Sequence, residues 1–163
     1  MNVWKHLSGL NPAALWALFL LCIRNPWYVL PTVKATRKCV AVCNLHYGKA
    51  HHRNTAANAF RHALWNFYIV RACSRGKAKM DKVLAWAEKI TTWHEDFSKN
   101  PPLARQMDLH NNRVGRIIFE KDPHMEAADV IDLLKSKAAA SVKVTELKET
   151  EAIDSNCFIH LID

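Results

Sequence analysis

NTAANAFRHALWNFYIVR, residues 54–71, decides the fold. At 100° per residue, Asn58, His62 and Asn66 fall on one stripe, i, i+4, i+8, while Ala56, Ala59, Phe60, Ala63, Phe67 and Val70 fill the opposite arc. Arg61 and Arg71 are its only charges. A helix so poor in charge is expected at the centre of a bundle, covered on most sides. Its amides and imidazole are then buried and must find hydrogen-bond partners.

Outward from this helix, proline, asparagine and glycine punctuate the chain. Asn11-Pro12 starts a short helix over Ala13 to Ile23. A second runs from Pro31 to about Tyr47, with a turn at Gly48 to Arg53 in which His51 and His52 are expected to face solvent. After Ser74-Arg75-Gly76 a fourth covers about Lys77 to Ser98, stopped by Asn100-Pro101-Pro102. A fifth spans about Leu103 to Lys121, and Asp122-Pro123, with Glu126, opens a sixth to about Ala140. Ser141–Leu147 and Cys157–Ile162 are short β-branched and apolar runs that predict a hairpin. The expectation is one mainly α domain over residues 1–163, a compact bundle of about six helices with a short C-terminal β-hairpin.

Two more helices direct polar groups inward. On the fourth, Val83, Trp86, Ala87, Ile90, Trp93 and Phe97 define the core face; His94 falls within that arc and Glu95 points about 100° away. On the fifth, Leu103, Met107, Val114 and Ile118 set the core direction, with His110 at one edge and Asp108, Asn111, Asn112 and Gly115 in a patch at the other. Gly115 in mid-helix costs about 1 kcal/mol relative to alanine, so it marks the close approach of another backbone or a ligand.

A neutral histidine held by a carboxylate is a general base, and amides hold substrate oxygens. His62, His94, Glu95 and Asp108 are therefore the candidate catalytic groups: His62 as base or metal ligand, His94 as its partner, and Asp108 or Glu95 as the orienting carboxylate. Asn58, Asn66, Asn111 and Asn112 are candidate substrate donors, and Arg61, Arg113 and Arg116 candidate anion holders. His62, His94 and His110 with one carboxylate would equally suit zinc. A satisfied polar network that sets helix register competes with both readings. Cys39, Cys43 and His46 share a helical face, a weaker soft-metal pattern; buried cysteines are common core fillers.

Charge is segregated. Residues 1–80 carry 12 Lys/Arg and no acid; residues 81–163 carry 11 basic and 15 acidic residues, a balance of −4 within a net +8. The acid-free half suits an anionic partner: a phosphate-bearing substrate, nucleic acid, an anionic membrane surface or an acidic protein. Trp4, Trp16 and Trp27 interleave with Lys5, Arg24, Lys34, Arg37 and Lys38, a composition of membrane interfaces that core tryptophans would also explain. The apolar run Pro12–Ile23 is shorter than the ~20 residues of a spanning helix. It has neither the basic flank nor the cleavage site of a signal peptide. Five cysteines without metal-knuckle spacing suit a reducing compartment, and cytoplasmic synthesis is expected. Gly-rich phosphate loops, G-x-S-x-G and H-E-x-x-H are absent from the sequence, which disfavours those enzyme classes.

Three strings in order, NAFRHALWN (58–66), TWHE (92–95) and MDLHNNRVGR (107–116), resemble a bacterial helical domain of unknown function that occurs free-standing and as the C-terminal module of polymorphic toxins. The resemblance spans about residues 54–116. It implies a helical domain whose motif residues converge, and a toxin-like hydrolytic or membrane-directed activity, with delivery by a dedicated secretion system. With the charge pattern, the expected function is hydrolysis of an anionic or phosphate-containing substrate in a His/Asn/carboxylate pocket. The alternative is a non-catalytic basic module on a membrane or an acidic partner.

Overall fold

The computed structural model describes residues 11–76 and 78–163, so Trp4 and Lys5 lie outside the described residues. Seven helices are present among them: α1 (Pro12–Arg24), α2 (Pro26–Tyr47), α3 (Ala56–Cys73), α4 (Met80–Phe97), α5 (Pro102–Lys121), α6 (Ala127–Ala139) and α7 (Leu147–Ala152). Two-residue strands β1 (Val142–Lys143) and β2 (Ile159–His160) complete the chain. The fold is mainly α, as its periodicity predicts. α2 begins one turn before the expected Pro31, because Pro26 occupies the first turn; Pro31 lies inside the helix, where it removes the bond to the carbonyl of Trp27.

α3 is the axis of the bundle, with 13 of its 18 residues buried, and packs most extensively on α5 and α2. Phe60, Leu64, Phe67 and Ile69 are fully buried, and Phe67 meets Phe119 of α5 edge to face at 5.2 Å. Truncating one of these phenylalanines would cost about 3–5 kcal/mol. α3 and α5 approach so closely that a Cβ on Gly115 would sit 2.1 Å from the carbonyl oxygen of Ala63. The mid-helix glycine therefore serves a backbone contact, and its helix-propensity penalty is the cost of bringing the two polar stripes together.

The tail departs from the expected hairpin. β1 and β2 pair, but in parallel, Val142 with Ile159 and Lys143 with His160. α7 lies between them in sequence and carries the chain back to its starting end, as a parallel pair demands. The C-terminal segment docks on α3: the amides of Leu161 and Ile162 both donate to the carbonyl of Asn54. No single helix among the described residues is long and apolar enough to cross a membrane; α1 and α2 together have the composition but bend by 116°.

Candidate active site

α3, α4 and α5 meet at His62, which is 1% exposed. A nitrogen of the Arg61 guanidinium lies 2.7 Å from His62 Nε2. A guanidinium can only donate, so Nε2 carries the lone pair and Nδ1 carries the proton. That tautomer agrees with the other side of the ring, where Nδ1 donates to Asn112 Oδ1 at 3.1 Å and lies 3.5 Å from Glu95 Oε1. Asn112 Oδ1 also accepts from Asn66 Nδ2 at 2.6 Å, and its Nδ2 donates to Glu95 Oε1 at 3.3 Å. Asn66 Oδ1 in turn accepts from Arg116 at 3.0 Å and Thr91 at 3.4 Å. The stripe on α3 is thereby fixed to both neighbouring helices.

Asp108 completes the site. Its Oδ1 stands 3.2 Å from His62 Nε2, yet it is buried without a hydrogen-bond partner, as is Glu95 Oε2. Asp108 Oδ2 accepts from Asn100 Nδ2 at 3.1 Å. Two acceptors this close, with no hydrogen between them, favour a proton or a cation. Burial, together with the Asp108 charge, pushes the Glu95 carboxyl up to about 8. Burial pushes Asp108 up to about 7, against the opposing pull of Arg61. His62 moves the other way, well below its ordinary range, through burial and the nearby charges of Arg61 and His94. Near neutral pH the site thus holds a neutral imidazole beside two carboxyl groups poised to exchange protons.

His62 and Arg61 line a cavity of about 520 Å³ between α1, α2, α3 and α4, together with His52 and His94; Glu95 and Asp108 adjoin His62 outside its described lining. The cavity walls are mainly apolar, including Leu18, Val29, Val33 and Ile90.

Residues 19–142 match DUF6973, a domain of unknown function. The chain belongs to this family. No curated protein matches it. The DUF6973 region contains every member of the site, from Arg61 on α3 to Arg116 on α5.

Several expected site residues take different places. On α4 the buried stripe is Ala87, Thr91 and Glu95, so Glu95 enters the site, whereas half-buried His94 packs its ring edge-on to Trp65 at 5.2 Å. His94 is still a neighbour of His62, as a lining group and a charge. His110 does not join the histidines: its Nε2 bonds the carbonyl of Cys157 at 2.8 Å. The candidate zinc set His62, His94 and His110 is therefore replaced by His62, Glu95 and Asp108, which each offer one ligand atom within 4.8 Å of the others.

Asn111 is also reassigned, because both ends of its amide clamp the backbone of Ile159, at 2.9 and 3.1 Å. Arg113 is exposed. Arg116 bridges Asn66 to Glu88. Asn58 donates to the carbonyl of His51 at 3.4 Å, and its own Oδ1 is buried unpartnered. Cys39 and Cys43 lie 3.9 Å apart in the core but His46 of the same face is exposed, so that trio does not converge. His51, expected in solvent, is fully buried, shares a hydrogen bond with Asn44, and is pushed down to about 4 by burial and the neighbouring His52. Two adjacent histidines in a turn carry no periodicity that would reveal it.

Proposed function

We propose that the protein is a hydrolase of an anionic, phosphate-containing ester, with His62 as general base. The observation that carries this reading is the lone pair of His62 Nε2, 2.7 Å from Arg61 and 3.2 Å from Asp108, on a histidine that lines the cavity. An incoming phosphate draws the Arg61 guanidinium from Nε2 into a charge-assisted pair, and a water takes the vacated position. Nε2 removes a proton as the water oxygen bonds to the electrophilic centre. Asp108, protonated, returns a proton to the departing oxygen. Glu95 and Asn112 hold Nδ1–H and fix the tautomer. The likeness of the three motifs to a module of polymorphic toxins supports an activity of this kind, exercised after cytoplasmic synthesis and dedicated secretion.

A panel of phosphate-containing esters tests the proposal. His62→Gln and Asp108→Asn should each lower turnover about 10²–10⁴-fold while the far-ultraviolet circular dichroism stays that of the parent. Variants as active as the parent would overturn it. The unpartnered oxygens of Glu95 and Asp108 favour a second reading, in which a divalent cation such as zinc joins His62, Glu95 and Asp108 and activates the water. Elemental analysis of the purified protein separates the two: one equivalent of zinc, lost in Asp108→Asn, selects the second.

A further inference from the structure

α1 is apolar on both of its long faces. Leu18 and Cys22 turn inward over the cavity, whereas Leu15, Trp16, Phe19 and Ile23 turn outward and are 42 to 62% exposed. Trp27 and Leu30 on the first turns of α2 extend that surface, at 87% and 62% exposed. Trp16 and Phe19 stack at 5.5 Å, and Arg24 is the sole charge on the helix. A helix apolar all round belongs in a core or a membrane. At 13 residues α1 is too short to span a bilayer but suits its interface.

Beside this surface, and sharing Arg24, Trp27 and Leu30 with it, runs a groove of about 1010 Å³. Arg24, Lys34, Lys38, Arg75, Lys82 and Lys89 border the groove, and its described lining includes no carboxylate. Apolar side chains next to a groove lined by cations match an anionic bilayer, whose phosphates would meet the groove while its hydrocarbon receives the tryptophans. A second copy of the chain docked face to face through the same groove would set like charge against like. The cavity beneath α1, at about 520 Å³, is within the ~300–1,000 Å³ of small-molecule sites. Leu18 and Cys22 of the inner face of α1 line it together with His62.

Resting on the hydrolytic reading above, we propose that the substrate is a phosphate-bearing lipid: α1 and the start of α2 sit in the surface of an anionic bilayer, and the cavity takes one acyl chain whose ester meets His62. The water oxygen bonds to the ester carbonyl carbon as its proton passes to Nε2. The carbon–oxygen bond to the alcohol then breaks, and the alcohol oxygen leaves with the proton of Asp108. Water is the sole co-reactant; the products are a fatty acid and the deacylated lipid.

Binding and turnover are read separately with the full chain. In co-sedimentation it should bind vesicles of equal parts phosphatidylglycerol and phosphatidylcholine and largely ignore phosphatidylcholine alone, with tryptophan fluorescence quenched by brominated acyl chains. Trp16→Glu/Phe19→Glu should weaken binding about tenfold or more, and Lys34→Glu/Lys38→Glu should weaken it most at low salt. Both variants lie on the surface, and circular dichroism confirms their folding. Failure of the parent to bind anionic vesicles at low salt overturns the proposal, even if a soluble phosphate ester is cleaved. Self-association in the ultracentrifuge without vesicle binding does the same and assigns the apolar face to a protein interface. Binding without fatty-acid release, unaffected by His62→Gln, overturns the hydrolytic reading and leaves the docking surface standing. Val33→Trp or the milder Val40→Phe, which fill the cavity, should keep binding and abolish release; unchanged release removes the acyl chain from the cavity.

Discussion

His62 is held neutral by its surroundings, and the neighbouring carboxyls are held partly protonated by theirs; the two effects have opposite consequences for stability. Glu95, raised from 4.5 to about 8, and Asp108, raised from 3.8 to about 7, retain protons in the folded protein that the unfolded chain releases. Their contribution is fully present below about pH 4 and is lost as pH rises through 7 and 8. His62, lowered from 6.5, works in the other sense: the unfolded chain takes up a proton as pH falls below 6.5, and stability is lost there. In chelator-treated protein, Glu95→Gln should flatten the decline in melting temperature between about pH 5 and 8, and His62→Gln should flatten the acid limb. Melting curves across pH 4–9 check both signs. Asp108→Asn should flatten the same decline; if it leaves the neutral slope unchanged, that carboxyl is ionised throughout the range and its proton-donor role is lost.

At the scale of elements, the site depends on how closely α3 and α5 approach. Gly115→Ala gains up to about 1 kcal/mol in helix propensity, but the added methyl meets the Ala63 carbonyl at 2.1 Å, and overpacking of this kind costs about 1–3 kcal/mol or more. The net expectation is destabilisation, read by urea unfolding, with loss of any catalytic turnover because Asp108 and Asn112 recede from His62. Asn111→Ala should act elsewhere. It removes both bonds to Ile159 from a residue behind the strand pair, at about 1–3 kcal/mol for a buried unsatisfied group. Limited proteolysis should then cut between Asp154 and the C-terminus before the helices are attacked. A Leu or Ile at Gly115 that left the unfolding midpoint unchanged would contradict the close approach.

For the whole molecule, protection should grade from α1 to α3. α1 meets the rest of the protein through α2 and α4, with the indole of Trp93 donating to the carbonyl of Ala14 at 3.0 Å. α3 is enclosed by α2, α4, α5, α6 and the C-terminal segment. Native-state hydrogen exchange should therefore find α3 amides opening only with global unfolding and α1 amides opening by a local route of lower free energy. Anionic vesicles should protect α1 selectively. Equal protection of α1 and α3 in the absence of lipid would show one cooperative unit.

Most helix boundaries, the mainly α class and the central place of α3 are determined by the sequence itself, because proline, asparagine and glycine act on their own backbones and a 3.6-residue period is a property of one chain segment. The convergence of His62 with Asp108 was legible for the same reason, from two stripes of polar residues on apolar helices. The choice between His94 and Glu95 was not. Periodicity puts His94 within the apolar arc and Glu95 about 100° away, whereas the rotation of α4 that buries Glu95 is set by Asn112 and Thr91 contacting the same stripe on α3. Asn111 and Asn112 are adjacent in sequence, yet one clamps a strand and the other holds His62, a division made by what stands on either side of α5. The parallel sense of β1 and β2 and the exposure of Trp16 and Trp27 likewise belong to the tertiary structure. Pairing direction depends on where α7 returns the chain, and a tryptophan's burial depends on whether another element reaches its face, neither of which local periodicity encodes.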